Sequence, residues 1–210
     1  MSSDNPNHPP GPYPPGQHVI PPPRPSSPAT AEYRLNHLML RIKDPEKSLR
    51  FYNDCFGLHV VFIFNVGPWT IYYLGPRDVC KYHTFHLPHV PSSLLGIIAM
   101  RSIGTSKGLL ELYHVPGDSS LTYTSGNDYA SNPAGIGFGH IGFTVPDPAK
   151  AIERVKSFGY EVIKPLGDVE EEKMGIPVDR GGDPLDDGYK QVWRQLAFVK
   201  DPDVSFIIWS

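Results

Sequence analysis

The sequence predicts an α+β fold made of two paired βαβββ modules. Three observations carry this reading. First, the phrase "LNHLMLRIKDPEKSLRFY", beginning at Leu35, is written again as "FGHIGFTVPDPAKAIERV", beginning at Phe138. Second, His37 and His140 each stand seven residues before an Asp-Pro pair, Asp44-Pro45 and Asp147-Pro148. Proline makes up about 5% of residues on average, so this coincidence alone is roughly a one-in-several-hundred accident. Third, both copies continue alike. Each runs into a short amphipathic segment, closes it with Phe-Gly at Gly57 or Gly159, and follows with a β-branched run.

Residues 1–31 precede the modules and hold eleven of the 24 prolines with few large apolar side chains. Such a segment buries too little surface to offset chain entropy, and the expectation is a disordered or polyproline tail. Residues 32–210 then form one domain, with module one over about 32–117, a linker over about 118–135 and module two over about 136–210. In module one the apolar run from His37 predicts a strand. Asp44 caps a helix with proline at its first position, "EKSLRFYNDCF" continues that helix, and Gly57 stops it. "LHVVFIF", "WTIYYLG" and "GLLELYHV" supply three more strands. A long insert through "CKYHTFHLPHVPSSLLG" separates the last two. In module two the same order runs through "AKAIERVKSF", "YEVIK", "RQLAFVKD" and "SFIIWS", with the Gly/Asp/Pro-rich segment from Gly175 to Gln191 read as a loop. One module cannot cover both faces of its sheet, so the two are expected to pair.

Composition excludes several classes. The net charge of -3 and the lack of a basic run argue against a nucleic-acid surface. No run is long enough to span a membrane, and the N-terminal segment lacks the apolar core of a signal peptide. Cys55 and Cys80 make no disulfide framework and no thiolate metal site, which fits a reducing cytoplasmic location.

The duplicated histidines carry the chemistry. In a strand, alternate side chains share a face. His37 and His140 begin equivalent strands, so paired modules can point both into one cavity. Glu111, set between leucines in "GLLELYHV", is costly to bury unless it is paired or bound to a cation. Two histidines and a glutamate make a divalent-metal site with open positions. The cluster His83, His86 and His89 has no counterpart in module two and is read as a surface loop.

"NHLMLRIKDPEKSLRFYNDCFGL", "LLELYH" and "GFGHIGFTVPD" resemble glyoxalase I (lactoylglutathione lyase) of the vicinal-oxygen-chelate superfamily, in a divergent, fungal-like form. The resemblance implies paired βαβββ modules around one divalent ion, zinc or nickel, with iron as a further candidate. It places metal ligands at His37, Glu111 and His140. It implies that Glu111 moves a proton between adjacent carbons of a metal-chelated carbonyl substrate, and that Arg41 grips a glutathione carboxylate. The chain departs from the family at the fourth ligand and base position, where Ile208 stands in place of glutamate. It departs again at two glutathione contacts, where Val115 replaces asparagine and Ile136 replaces arginine. A charge-assisted hydrogen bond is worth about 1.5–3 kcal/mol, so losing the arginine should weaken glutathione about ten- to a hundredfold.

The resulting expectation is a metal-dependent isomerase or lyase acting by proton transfer on a small carbonyl metabolite. It would have diverged from S-lactoylglutathione formation toward another, biosynthetic substrate. A lactoylglutathione lyase with reduced activity and a catalytically silent metal- or ligand-binding member are the alternatives. The chain is expected to work as a monomer or homodimer, without nucleic acid or membrane.

Overall fold

The computed structural model describes residues 13–18, 20, 27–77, 79, 103–123, 138–170, 173, 185–203 and 206–209, the last four by backbone alone. The elements follow in chain order as β1 (His37–Ile42), α1 (Pro45–Phe56), β2 (His59–Asn65), β3 (Thr70–Gly75) and β4 (Leu109–His114), then β5 (His140–Phe143), α2 (Pro148–Ser157), β6 (Val162–Lys164), α3 (Asp187–Trp193), β7 (Ala197–Lys200) and β8 (Phe206–Trp209). They form two four-stranded sheets with the same order, β1-β4-β3-β2 and β5-β8-β7-β6. In each, the first strand lies parallel to the fourth and the remaining pairs are antiparallel. This is the βαβββ unit written twice. Among the described residues no helix is long and apolar enough to cross a membrane.

The duplicated helix signals work as the sequence implies. Asp44 accepts from the Lys47 backbone N–H at 3.2 Å, and Asp147 accepts from that of Lys150 at 3.1 Å. Each satisfies one of the free donors at a helix start. Gly57 and Gly159 take φ of 67° and 85°, the left-handed conformation that lets each chain turn away from its helix.

The duplication extends to an irregularity. β2 shifts register against β3 between Val60 and Phe62, and β6 shifts against β7 between Val162 and Lys164. Phe62 then pairs with Tyr73, and Lys164 with Phe198. Tyr73 and Phe198 are themselves equivalent, since they pair with Glu111 and Ile208. Both bulges therefore fall at the same point of the repeat.

One hydrophobic core joins the modules. Leu40, Ile42, Phe51, Tyr52, Leu74 and Leu112 of module one pack with Ile152, Val155, Ala197 and Val199 of module two. Phe56 stacks on Phe143 with ring centroids 4.4 Å apart, and Phe51 meets Tyr160 edge to face at 4.7 Å. Cys55 packs against this core, and burial pushes its thiol up to about 11. It is a packing residue.

The polar seam is the "DPD" corner before β8. Asp203 accepts from the Lys43 backbone N–H at 3.0 Å and from the Ser48 hydroxyl at 2.9 Å. Asp201 accepts from the Tyr52 hydroxyl at 2.6 Å and from the Asp203 backbone N–H at 2.9 Å. Both carboxylates are buried. Module two thus holds β1 and α1 of module one by side chains that precede its own last strand.

One expectation is corrected. The segment from Gly175 to Gln191 is not a loop throughout, because α3 begins at Asp187. Asp186 caps it by accepting from the Tyr189 backbone N–H at 3.0 Å, and Trp193 is buried against Phe198. Gly188 inside "DDGYKQVW" lowers helix propensity and hides the signal. A 3-10 turn over Pro116–Ser120 runs from the end of module one into the segment read as linker. Its remainder beyond Tyr123, most of the N-terminal tail, Cys80, Ile136 and the His83, His86 and His89 cluster lie outside the described residues.

Asp203→Ala should leave the Ser48 hydroxyl and the Lys43 N–H without their acceptor. A buried unsatisfied group costs about 1–3 kcal/mol. The denaturation midpoint in urea is expected to fall accordingly, with Asp203→Asn falling less. An unchanged midpoint for Asp203→Ala would show that the seam does not hold the modules.

Candidate functional site

β1 divides its side chains between two faces. Leu40 and Ile42 enter the core. His37, Met39 and Arg41 alternate with them and define the opposite, site-bearing face. On β4, Glu111 is the register partner of Met39 and of Tyr73 on β3. Its neighbours Leu110 and Leu112 belong to the core, so Glu111 faces the other way, onto the side of His37.

Glu111 is only 7% exposed. Its Oε2 stands 3.4 Å from His37 Nε2. The Tyr73 ring meets the His37 ring edge to face at 5.4 Å. The Tyr73 hydroxyl donates to Glu111, and its pKa is held well above the usual tyrosine value, first by burial and then by that carboxylate. Tyr73 therefore stays a protonated donor. On the other side of the ring, His37 Nδ1 lies 2.7 Å from Asn36 Oδ1.

His140 begins β5 as His37 begins β1. The two histidines line one cavity of about 420 Å³, with Leu38, Leu58, Leu109 and Phe143 among its walls. His140 lies over Phe198 at 6.5 Å, and the partial loss of water there draws its pKa below the usual imidazole value. In kind, two imidazoles and a carboxylate suit a divalent cation. In place, the structure brings His37 and Glu111 together. Among the described residues no three histidine, cysteine or acidic side chains stand close enough to hold a metal ion.

Ile208 is described by its backbone. It pairs with Gly142, two residues beyond His140, as Glu111 pairs with Met39, two beyond His37. The register equivalence of Ile208 and Glu111 is therefore built into the two sheets.

Arg41 has a partner that the sequence reading missed. Its guanidinium is ion-paired with Asp118 in the turn after β4. Asp118 is 7% exposed and also accepts from the Tyr123 hydroxyl at 2.8 Å. Val115, the residue immediately after β4 ends at His114, leads directly into this turn without a side-chain hydrogen bond. Asp118 sits seven residues after Glu111 in a segment read as linker, which is why nothing in the pattern flagged it.

Module two fills its matching face. Lys164, paired with Phe198 across the bulge, is fully buried. Its Nζ donates to the carbonyls of Trp193 at 2.8 Å and Leu196 at 2.6 Å, and lies 5.1 Å from the centre of the Trp193 ring. It caps the end of α3 and holds that helix on the sheet. Burial pushes its pKa down to about 8. A lone lysine in "YEVIKP" carries no sequence signal for such a role.

Residues 34–203 match the model of the Glyoxalase/Bleomycin resistance protein/Dioxygenase superfamily. The chain is 32% identical over 178 residues to a lactoylglutathione lyase of Pseudomonas aeruginosa, spanning 83% of this chain and 80% of that one. It is 33% identical over 194 residues to the lactoylglutathione lyase of Pseudomonas putida, spanning 85% and 84%. The fungal likeness expected from the motifs is weaker: identity with the enzyme of Schizosaccharomyces pombe is 28%, over 44% of that protein's length. Among solved structures, the trypanothione-dependent glyoxalase I of Leishmania major aligns with a TM-score of 0.48 at 21% identity, covering 84% of this chain and 85% of that one.

Lys164 makes a pH prediction. An unfolded lysine titrates near about 10.4. Between about 8 and that value the unfolded chain binds the extra proton, so stability rises with pH. The stability of wild type relative to Lys164→Met is expected to increase across that window, as read by denaturant melts at several pH values. A constant difference would mean that Lys164 is not a buried cation below pH 8.

Proposed function

The chain belongs to the Glyoxalase/Bleomycin resistance protein/Dioxygenase superfamily, and we propose that it is a metal-dependent isomerase or lyase of the glyoxalase I type, acting by proton transfer on a small carbonyl substrate. The observation that carries this reading is the buried Glu111 carboxylate set 3.4 Å from His37 Nε2. In this reading His37 and Glu111 hold a divalent ion of the zinc or nickel kind, with iron as a further candidate, and His140 is the third ligand. When bound, such an ion polarises a carbonyl and stabilises the negative charge that develops on its oxygen.

The chain's own residues supply the rest. Glu111 takes a proton from the carbon beside the carbonyl and returns it to the neighbouring carbon, as general acid–base catalysis requires. The Tyr73 hydroxyl, kept protonated, orients the carboxylate. The core leucines behind it keep water from that side.

Three features support divergence from S-lactoylglutathione formation. Ile208 stands at the position equivalent to Glu111, and isoleucine neither coordinates a metal nor carries a proton. The Arg41 charge is already answered by Asp118, so a substrate carboxylate must compete with an internal one. Val115 offers no polar side chain beside them. A neutral dicarbonyl or hydroxycarbonyl metabolite suits this face better than glutathione, with a slow lactoylglutathione lyase as the second reading. The assembly is a monomer or homodimer within the cytoplasm.

Metal analysis tests the first part. Purified protein reconstituted with zinc should hold about one ion per chain. His37→Ala and His140→Ala should each lose it. Glu111→Gln should lower turnover by about 10²–10⁴-fold. A wild-type chain that stays metal-free after reconstitution with zinc, nickel, cobalt and iron(II) would sink the reading. Mixing His37→Ala with His140→Ala chains locates the third ligand: recovered zinc binding assigns it to a second copy, and no recovery assigns it to the same chain.

Two substitutions test divergence. Asp118→Asn should release Arg41 and tighten binding of glutathione, measured by calorimetry. Ile208→Glu should raise zinc affinity. If neither moves, the departures at these positions do not set substrate or metal preference.

A further inference from the structure

We propose that Asn36 is a positioning residue that holds the His37 ring as its Nδ1–H tautomer, and so keeps Nε2, the nitrogen facing Glu111, as the one with a free electron pair. The inference rests on hydrogen-bond direction. Asn36 Nδ2 lies 2.7 Å from the Ile103 carbonyl and 2.7 Å from the Ser106 carbonyl. Carbonyl oxygens only accept, so the amide must turn its nitrogen toward them. That leaves Asn36 Oδ1 as the atom 2.7 Å from His37 Nδ1. An amide oxygen also only accepts, so Nδ1 must carry the hydrogen. A neutral imidazole has one N–H, and Nε2 is left bare.

This turns a passive neighbour into a device. In the neutral ring Nε2 faces Glu111 Oε2 at 3.4 Å, so two acceptors look at each other across the site. A cation between them resolves the clash. An imidazole free to adopt the other tautomer would resolve it internally, by donating Nε2–H to the carboxylate and closing the site on itself. Asn36 blocks that route. The edge-on contact with Tyr73 restricts the ring further.

Asn36 is in turn fixed by the segment that returns to β4. Its side chain spans the Ile103–Ser106 turn, and its backbone carbonyl accepts from the Leu109 N–H at 3.1 Å. The end of the long insert between β3 and β4 therefore sets the orientation of a ligand on β1. Orienting partners of this kind typically change metal affinity 10–100-fold when removed.

The proposal rests on the reading of His37 as a ligand, but its core claim can be measured without metal. Long-range nitrogen–proton NMR on zinc-free protein in alkaline buffer, where imidazoles are neutral, reports which ring nitrogen is protonated. The His37 signals are identified by their loss in His37→Gln. Wild type should show Nδ1–H and a bare Nε2. A wild-type His37 protonated at Nε2 overturns the proposal whatever the variants do.

Two variants separate positioning from simple support. Asn36→Asp keeps an acceptor for Nδ1 and loses both donated bonds to the turn. Asn36→Leu loses both functions. Asn36→Asp should keep the tautomer and bind zinc no more weakly than wild type. Asn36→Leu should lose the tautomer preference and bind zinc about 10–100-fold more weakly. Equal losses in the two would assign Asn36 to anchoring the turn alone and overturn the positioning role. Nδ1–H in wild type together with no zinc binding would leave Asn36 in its role and remove only the metal reading.

Discussion

The rest of the structure depends on two carboxylates, Asp201 and Asp203, that leave their own module to satisfy the other. They are buried, so each must find donors. The donors are on β1's exit and on α1: the Lys43 N–H, the Ser48 hydroxyl and the Tyr52 hydroxyl. The apolar core between the modules is non-directional and would tolerate some sliding. These hydrogen bonds do not. They fix module two against the helix that follows the His37 strand, and so they fix where the second histidine stands relative to the first.

Within that frame the two modules have the same backbone and different duties. Their strand order, helix caps and registers match, yet their site-bearing faces differ in chemistry. Module one presents His37, Glu111 and Tyr73, groups that bind cations or move protons. Module two places Trp193 and Lys164 over Phe198 and backs His140 with an aromatic ring. The position symmetric to Glu111 carries Ile208. The proposed chemistry is therefore one-sided: one module carries the proton while the other closes the cavity and contributes a single histidine.

How much of this was legible in the sequence follows from what a repeat can show. The succession of strands and helix along each half, both helices with their Asp-Pro starts and Phe-Gly stops, and the equivalence of Glu111 with Ile208 are local patterns read twice, and the structure has them. His37 and Glu111 stand out as polar residues on apolar strands, and the structure sets them 3.4 Å apart. What escaped notice lacks either signal. Asn36 is a common residue beside a more conspicuous one. Asp118 works only because a turn carries it back to β1, 77 positions away. The helix α3 hid behind Gly188 and two aspartates, and its reason for existing, the burial of Trp193, is a tertiary fact. The meeting of His37, Glu111 and His140 was drawn from symmetry, and distances do not follow from symmetry alone.

The paired bulges, between Val60 and Phe62 and between Val162 and Lys164, reach further back than the present molecule. A bulge is an extra residue that bends a strand and turns its side chains to the opposite face. For both halves to have gained one independently at the same ladder position would take two matching insertions, each of which would scramble a face unless everything beyond it changed too. Inheritance needs only one. The matched kinks are what duplication of a single curved module would leave. A single module of this kind leaves one face of its sheet bare and needs a second to cover it. Fusion of two copies makes that pairing permanent. Fusion also frees the halves from having to be identical, and Glu111 and Ile208 now fill equivalent register positions with different chemistry.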